Sequence, residues 1–225
     1  MKRFFFAALA ALGTLAASPA LTQERPLLIE VIVDNAGTLL NADQSKNALI
    51  ALLGNISDPY RQRRQYQNAI IHIVTTHNPR SVWRDTPRRL YQSIPELVET
   101  LAPVTTGCGD LVEAFERVAN NIKRTPAAET KIVVFASLFH TGYPCDGQVL
   151  KIPQPLPSDL KTEGLTPEGI SEIRFYWADR RQQLTWRKGL EDNGLLARLN
   201  EAGAQFSIDG MDTTISALRR LGGRR

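Results

Sequence analysis

Residues 27–38, LLIEVIVDNAGT, constrain the fold more than any other stretch of the chain. The run from Leu27 to Val33 is mostly apolar and rich in β-branched residues, without the polar alternation of a half-exposed strand. Such a run predicts a strand covered on both faces, and so a sheet with layers above and below it. The strand is followed at once by Asp34-Asn35-Ala36-Gly37-Thr38. In open α/β sheets, ligands bind beyond the C-terminal ends of the strands, where this polar corner would lie.

Strand and helix signals alternate along the rest of the chain. Leu49, Leu52, Leu53 and Ile56 share one helical face, with Asn41 or Asp43 as the expected cap. A second strand is expected over 69–75 and a short edge strand over 80–84. Thr86-Pro87 marks a helix start, and Ser93-Ile94-Pro95-Glu96 resembles a capping box ahead of Leu97, Val98 and Leu101. The clearest helix follows Gly107-Cys108-Gly109. Asp110 would be its N-cap and Glu113 would complete the box. Its apolar stripe is Leu111, Ala114, Phe115, Val118, Ala119 and Ile122, and Thr125-Pro126 ends it.

A buried strand over 131–137 comes next, then a loop over 139–169 that holds five prolines. A strand over 172–177 precedes a helical region broken near Asp192-Asn193-Gly194, and 205–208 and 213–221 supply a last strand and helix. The expected class is α/β: a three-layer, Rossmann-like arrangement with a mostly parallel central sheet and helices on both faces.

The first twenty residues read differently. Lys2 and Arg3 precede an apolar run over 4–17, and Ser18-Pro19-Ala20 has the small residues of a cleavage site. Residues 1–20 are therefore expected to be a signal peptide cut after Ala20, with an uncleaved anchor as the alternative. No later segment is long and apolar enough to span a membrane, so no membrane span is expected in the mature chain. Residues 21–225 would form one periplasmic or extracellular domain, with a loop insertion at about 139–169 and a basic tail over 219–225. The formal charge of +4 falls by two when Lys2 and Arg3 leave, too little to suggest a nucleic-acid partner. The arginines at 61–64 and 88–89 read as solvated faces.

Cys108 and Cys145 are the two cysteines, and an isolated pair in an oxidising compartment reads as one disulfide. Neither belongs to a CxxC motif, and none of the three histidines has zinc-ligand spacing with a cysteine. Ser137 with His140 does not make a hydrolase elbow, because Phe135-Ala136-Ser137-Leu138-Phe139 lacks the flanking glycines.

Two families resemble the corner at Asp34. Haloacid dehalogenase-like phosphatases place D-x-D-G-T-L after their first strand, and Asp34-Asn35-Ala36-Gly37-Thr38-Leu39 is similar except for the second aspartate. That aspartate is the family's general acid/base, and Ala36 cannot move a proton. The von Willebrand factor A-like domains match over a longer span. Their D-x-S-x-S corner resembles Asp34 to Thr38, and their G-x-T-D-L-x-x-A-L turn resembles 107–115. Their "VVLLSDG" strand resembles 133–139.

The longer resemblance implies a domain from about Leu27 to Leu221 with a degenerate metal-ion-dependent adhesion site. Ala36, Gly109 and Leu138 stand where that site has a hydroxyl, a threonine and an aspartate. The expectation is accordingly an exported, non-enzymatic protein-binding module with no cofactor and a protein partner. Its binding face would comprise Asp34, Asn35, Thr38, Cys108, Gly109, Asp110, His140 and Tyr143, stapled by a Cys108–Cys145 disulfide. One alternative keeps a weakened Mg²⁺ or Ca²⁺ site on Asp34, Thr38 and Asp110. The other is a diverged phosphatase with Asp34 as nucleophile.

Overall fold

A computed structural model describes residues 26–36, 39, 42–101, 108–141, 156–166 and 168–222. Six strands form one sheet in the order β3-β2-β1-β4-β5-β6. They are β1 (Leu27–Val33), β2 (Ile70–Thr75), β3 (Ser81–Asp85), β4 (Glu129–Phe135), β5 (Ile170–Ala178) and β6 (Gln205–Gly210). All neighbours run parallel except β3, which pairs antiparallel with β2 at one edge. The fold is therefore the α/β, mostly parallel arrangement expected from the sequence.

Both faces of the sheet are covered, as the mostly apolar β1 requires. On one face α1 (Asp43–Arg61), α2 (Pro87–Thr100) and α6 (Met211–Gly222) pack against Ile29, Val31, Val33, Ile71 and Ile73. On the other, α3 (Leu111–Arg124), α4 (Arg180–Asp192) and α5 (Leu195–Glu201) cover Ile32, Val74, Ile132, Val134 and Phe175. Trp186 and Phe115 are fully buried in this second core, where Trp186 touches both Phe115 and Phe175. The polypeptide leaves β1 toward β2 on one side, while β4 lies on its other side. The strand order thus reverses between β1 and β4, which makes the C-terminal ends of these two strands the switch point where ligand crevices form.

Two capping expectations are corrected. Ala42 is the N-cap of α1 and makes no side-chain cap bond; Asp43 lies in the first turn, and Asn41 is outside the described residues. Ser93 to Glu96 does not begin a helix, because α2 runs unbroken from Pro87 to Thr100 with Pro95 inside it. Pro95 removes one helical N–H. Leu90, Ile94, Leu97 and Val98 keep one buried stripe through that point, so packing overrides the local break. Thr86 caps α2 as expected. The Asp192–Gly194 break separates α4 from α5, with Gly194 in the left-handed region at φ 75°. Within the 139–169 loop, Leu160 and Leu165 are buried against the α3 core.

One polar cluster inside this architecture was not legible in the sequence. Glu30, midway along β1, is fully buried and accepts from His72 of β2 at 2.7 Å. Its other oxygen accepts from Asn121 of α3 at 3.1 Å, and the His72 Nε2 atom is buried without a partner. Removing one member of such a pair strands the other in low dielectric. His72→Leu should therefore cost about 3–5 kcal/mol in urea unfolding. The double variant Glu30→Leu/His72→Leu should recover most of that loss.

Candidate functional site at the C-terminal edge

The sheet ladder does not stop at the end of β1. Asp34 N–H donates to Phe135 O at 2.8 Å, and Thr76 N–H donates to Val33 O at 3.2 Å. These bonds bring the residues just beyond β1, β2 and β4 side by side. The Asp34 carboxylate, 3% exposed, sits at their centre. Its Oδ1 accepts from the Thr76 hydroxyl at 2.8 Å and from Ala36 N–H at 3.2 Å, and its Oδ2 accepts from the Ser137 hydroxyl at 3.0 Å. Burial pushes the Asp34 carboxyl above its usual value of 3.8, while these bonds oppose the rise by favouring the charged form.

The loop before α3 closes over this carboxylate. Asp110 N–H donates to Thr76 O at 2.9 Å, which fastens the loop to the end of β2. Asp110 Oδ1 accepts from Glu113 N–H at 2.8 Å, so the expected N-cap is present. Because the Asp110 amide is already bound to Thr76, the returning half of the capping box is replaced by a tertiary bond. Gly109 packs against the corner itself. A Cβ there would lie 3.1 Å from Ala36 Cβ, 3.3 Å from Thr76 Oγ1 and 3.5 Å from Asp34 Oδ1. The absent side chain is what lets the loop descend onto Asp34.

The loop after β4 is joined to the same place. Thr141 N–H donates to Gly109 O at 3.0 Å, and Gly109 N–H donates to the Thr141 hydroxyl at 2.9 Å. His140 Nδ1 accepts from Leu111 N–H at 3.3 Å, which makes Nε2 the protonated nitrogen of the neutral ring. Burial holds the His140 pKa below 6.5, against the attraction of Asp110. Leu138 is fully buried with φ 69°, and its carbonyl accepts from Trp186 Nε1 at 2.7 Å. Core packing and this bond hold a backbone conformation that a leucine rarely adopts. On the other side of the corner, Asn35 Oδ1 accepts from His77 N–H at 3.0 Å, and His77 Nδ1 donates to Cys108 O at 2.9 Å.

The structure thus gathers Asp34, Asn35, Cys108, Gly109, Asp110 and His140, as the sequence reading places them. Thr38, Tyr143 and Cys145 lie outside the described residues, and with them the Cys108–Cys145 pairing. Asp34, Asn35, Cys108 and Asp110 are each at most 9% exposed, so they form the floor of this edge, and the His140 side chain beside Asp110 is 8% exposed. Sequence reasoning missed Thr76 and Thr141. The available signal for Thr76 was its position directly after a buried strand, at the same sheet edge as Asp34. Ser137 bonds to Asp34, and His140 bonds to the start of α3.

A hard divalent cation seeks six or more oxygens. Ala36, Gly109 and Leu138 offer no side-chain oxygen, Asp110 is engaged in capping α3, and both Asp34 oxygens already accept from protein donors. Among the described residues, no three His, Cys, Asp or Glu side chains cluster in a way that could hold a metal.

No family model and no curated protein matches the chain. Solved structures do. Proximal thread matrix protein 1 from the mussel byssus aligns over 88% of this chain and 47% of its own, at 10% identity and TM-score 0.51. The pilus adhesin SpaC from Lactobacillus rhamnosus GG aligns over 87% of this chain and 29% of its own, at 9% identity and TM-score 0.51. The vWF domain of the type V pili tip protein Mfa5 from Porphyromonas gingivalis aligns over 52% of this chain and 39% of its own, at 12% identity and TM-score 0.38. The chain spans under half the length of each of these structures. The first two likenesses show a shared fold.

The corner makes stability depend on pH in two opposite ways. Asp34 has a raised folded pKa, so its contribution is full below 3.8 and is lost as pH rises through the folded value. His140 has a lowered folded pKa, so its contribution is present above 6.5 and is lost as pH falls through the folded value. Urea midpoints measured across this range should lose the first dependence in Asp34→Asn and the second in His140→Asn. Thr76→Val should cost about 1.5–3 kcal/mol, the scale of a hydrogen bond to a charged group. The same titration of this variant would place the Asp34 midpoint higher still.

Proposed function

We propose that the chain is an exported von Willebrand factor A-like domain that binds a protein partner through the loops at the C-terminal edge of its sheet, without a divalent cation and without catalysis. The observation that carries this reading is the closed Asp34 carboxylate. A nucleophile or a metal ligand needs a free lone pair facing an approach path. Asp34 instead directs its oxygens into Thr76, Ser137 and Ala36, under Gly109. Its role becomes that of an internal brace, and recognition passes to the rim at Phe139, His140 and Thr141. A solved structure sharing the fold is described as a pilus adhesin, which accords with a binding role.

In this reading residues 1–20 are the export signal and 21–225 the mature domain. Cys108, buried beside the corner, pairs with Cys145 and ties the rim loop to the loop that covers Asp34. Closing a loop of that size contributes roughly 3–4 kcal/mol in the chain-entropy model. Mass mapping of the exported protein should find both cysteines in one bridge; two free thiols would remove it.

Two measurements test the functional claim. Calorimetry with Mg²⁺, Ca²⁺ and Mn²⁺ should give no saturable heat, and saturable binding abolished by Asp34→Ala would overturn the metal-free reading. Capture from the native envelope should recover a specific protein with the wild type. Recovery should fall at least about tenfold with Phe139→Ala/His140→Ala if these are interface anchors. Equal recovery at unchanged melting temperature would move the interface off this rim.

A further inference from the structure

The opposite, N-terminal edge of the sheet carries an unexplained concentration of charge. Two arginine clusters that are distant in sequence meet at the β2–β3 side of this edge. Arg61 ends α1, Arg63 and Arg64 lead toward β2, Arg84 lies near the end of β3, and Arg88 and Arg89 open α2. The meeting is direct, because the Arg61 guanidinium lies 4.0 Å over the ring of Tyr91 in α2. The nearby carboxylates are already engaged. Asp58 Oδ1 is 2.6 Å from Arg61 Nε, and Asp85 Oδ1 accepts from Thr86 N–H at 2.7 Å. Arg63, Arg64, Arg84, Arg88 and Arg89 are all exposed, and none makes an ion pair among the described residues.

This arrangement works against the fold that bears it. The first turn of α2 has no acidic residue, and Arg88 and Arg89 put like charge at the positive end of the helix dipole. Like charges that outnumber the two nearby carboxylates, at a place where local rules favour acids, point to an external anion. All six side chains are arginine, whose planar fork pairs with phosphate oxygens bidentately.

The course of the chain favours one source of that anion. Pro26 precedes β1 at this same edge, where its carbonyl accepts from Ala128 N–H at 3.2 Å. The sequence running into Pro26 contains the apolar segment 4–17. Whatever leads the chain out of the membrane during export therefore joins the domain at its arginine-bearing edge. Tyr91, 38% exposed beside Arg61, is a side chain suited to the headgroup layer. Glu168, Asp192 and Glu201 lie toward the β5–β6 end of the edge, so the surface would be met by the β3 corner and not by the whole edge.

We infer that this corner, Arg61, Arg63, Arg64, Arg84, Arg88 and Arg89, docks the domain on the phosphates of an anionic lipid surface. The C-terminal rim would then face away from the membrane. This goes beyond the proposed rim interaction and rests only on the export reading of the N-terminal segment. The test is co-sedimentation of the exported protein, as its host processes it, with vesicles of phosphatidylcholine alone or mixed with phosphatidylglycerol. The expected result is retention by the mixed vesicles above that by neutral ones, weakening as salt rises.

Arg63→Gln/Arg64→Gln/Arg88→Gln/Arg89→Gln should lower that added retention by about three orders of magnitude, on the scale of one juxtamembrane cation each. Arg187→Gln/Lys188→Gln on α4 should leave it within about twofold, because those side chains lie away from the corner. Equal retention by the two vesicle types, or retention indifferent to salt, would overturn the inference from the wild type alone. Equal loss in the α4 control would reduce the effect to net charge. Retention by soluble polyglutamate with none by anionic vesicles would assign the corner to an acidic protein segment and equally overturn the lipid reading.

Discussion

One buried carboxylate organises the C-terminal edge of this domain. Asp34 stands at the end of the central strand, nearly out of water, and a lone charge in that position would be costly. The structure offsets the cost with hydroxyls from both flanking strands, Thr76 beyond β2 and Ser137 beyond β4, and with the Ala36 amide. The carboxylate consequently ties three adjacent strand ends together. The loop before α3 is held to one of these residues by the backbone bond from Asp110 to Thr76, and the loop after β4 is held to that loop by the bond from Thr141 to Gly109. A divalent ion in this place would join the loops by sharing their oxygens. Here hydrogen bonds join them directly.

These long-range bonds explain why the sequence was informative about the fold and less so about the site. The strand–helix alternation, the edge position of β3, the Asp110 cap and the apolar stripe of α3 are local features, set by a few neighbouring residues, and all are present in the structure. The two failed cap expectations are cases where local chemistry met a stronger tertiary term. Ser93 to Glu96 has the pattern of a helix start, but the buried row from Leu90 to Val98 carries the helix through it. The contacts of Asp34 are long-range. Thr76 is 42 residues away and Ser137 is 103, so no local pattern joins them. The same holds for Glu30, His72 and Asn121, drawn from two strands and a helix.

Ala36, Gly109 and Leu138 share one physical role at this corner. Gly109 comes close enough for a Cβ to touch both Ala36 and Thr76, and Leu138 turns its side chain into the α3–α4 core while its carbonyl takes the Trp186 N–H. A small residue at 36 and none at 109 bring the loop down onto the carboxylate, and an apolar residue at 138 joins the core beside it. A larger side chain at any one of the three would meet a corner already filled by the others. The residues act as a packed unit, and their effects on stability should be strongly non-additive.

The two ends of the sheet therefore solve opposite electrostatic problems. At the C-terminal edge a carboxylate is buried and both of its oxygens accept from protein donors, which favours rigidity. At the N-terminal edge charge is left exposed and mutually repelling, with its few aspartates already engaged. A folded chain gains nothing internally from that second arrangement, because surface charge of one sign raises the energy of the compact state. The fold separates the two by the length of the strands. A surface bound at the arginine corner would leave the Asp34 rim free, so docking and recognition could proceed on one domain without competing for the same loops.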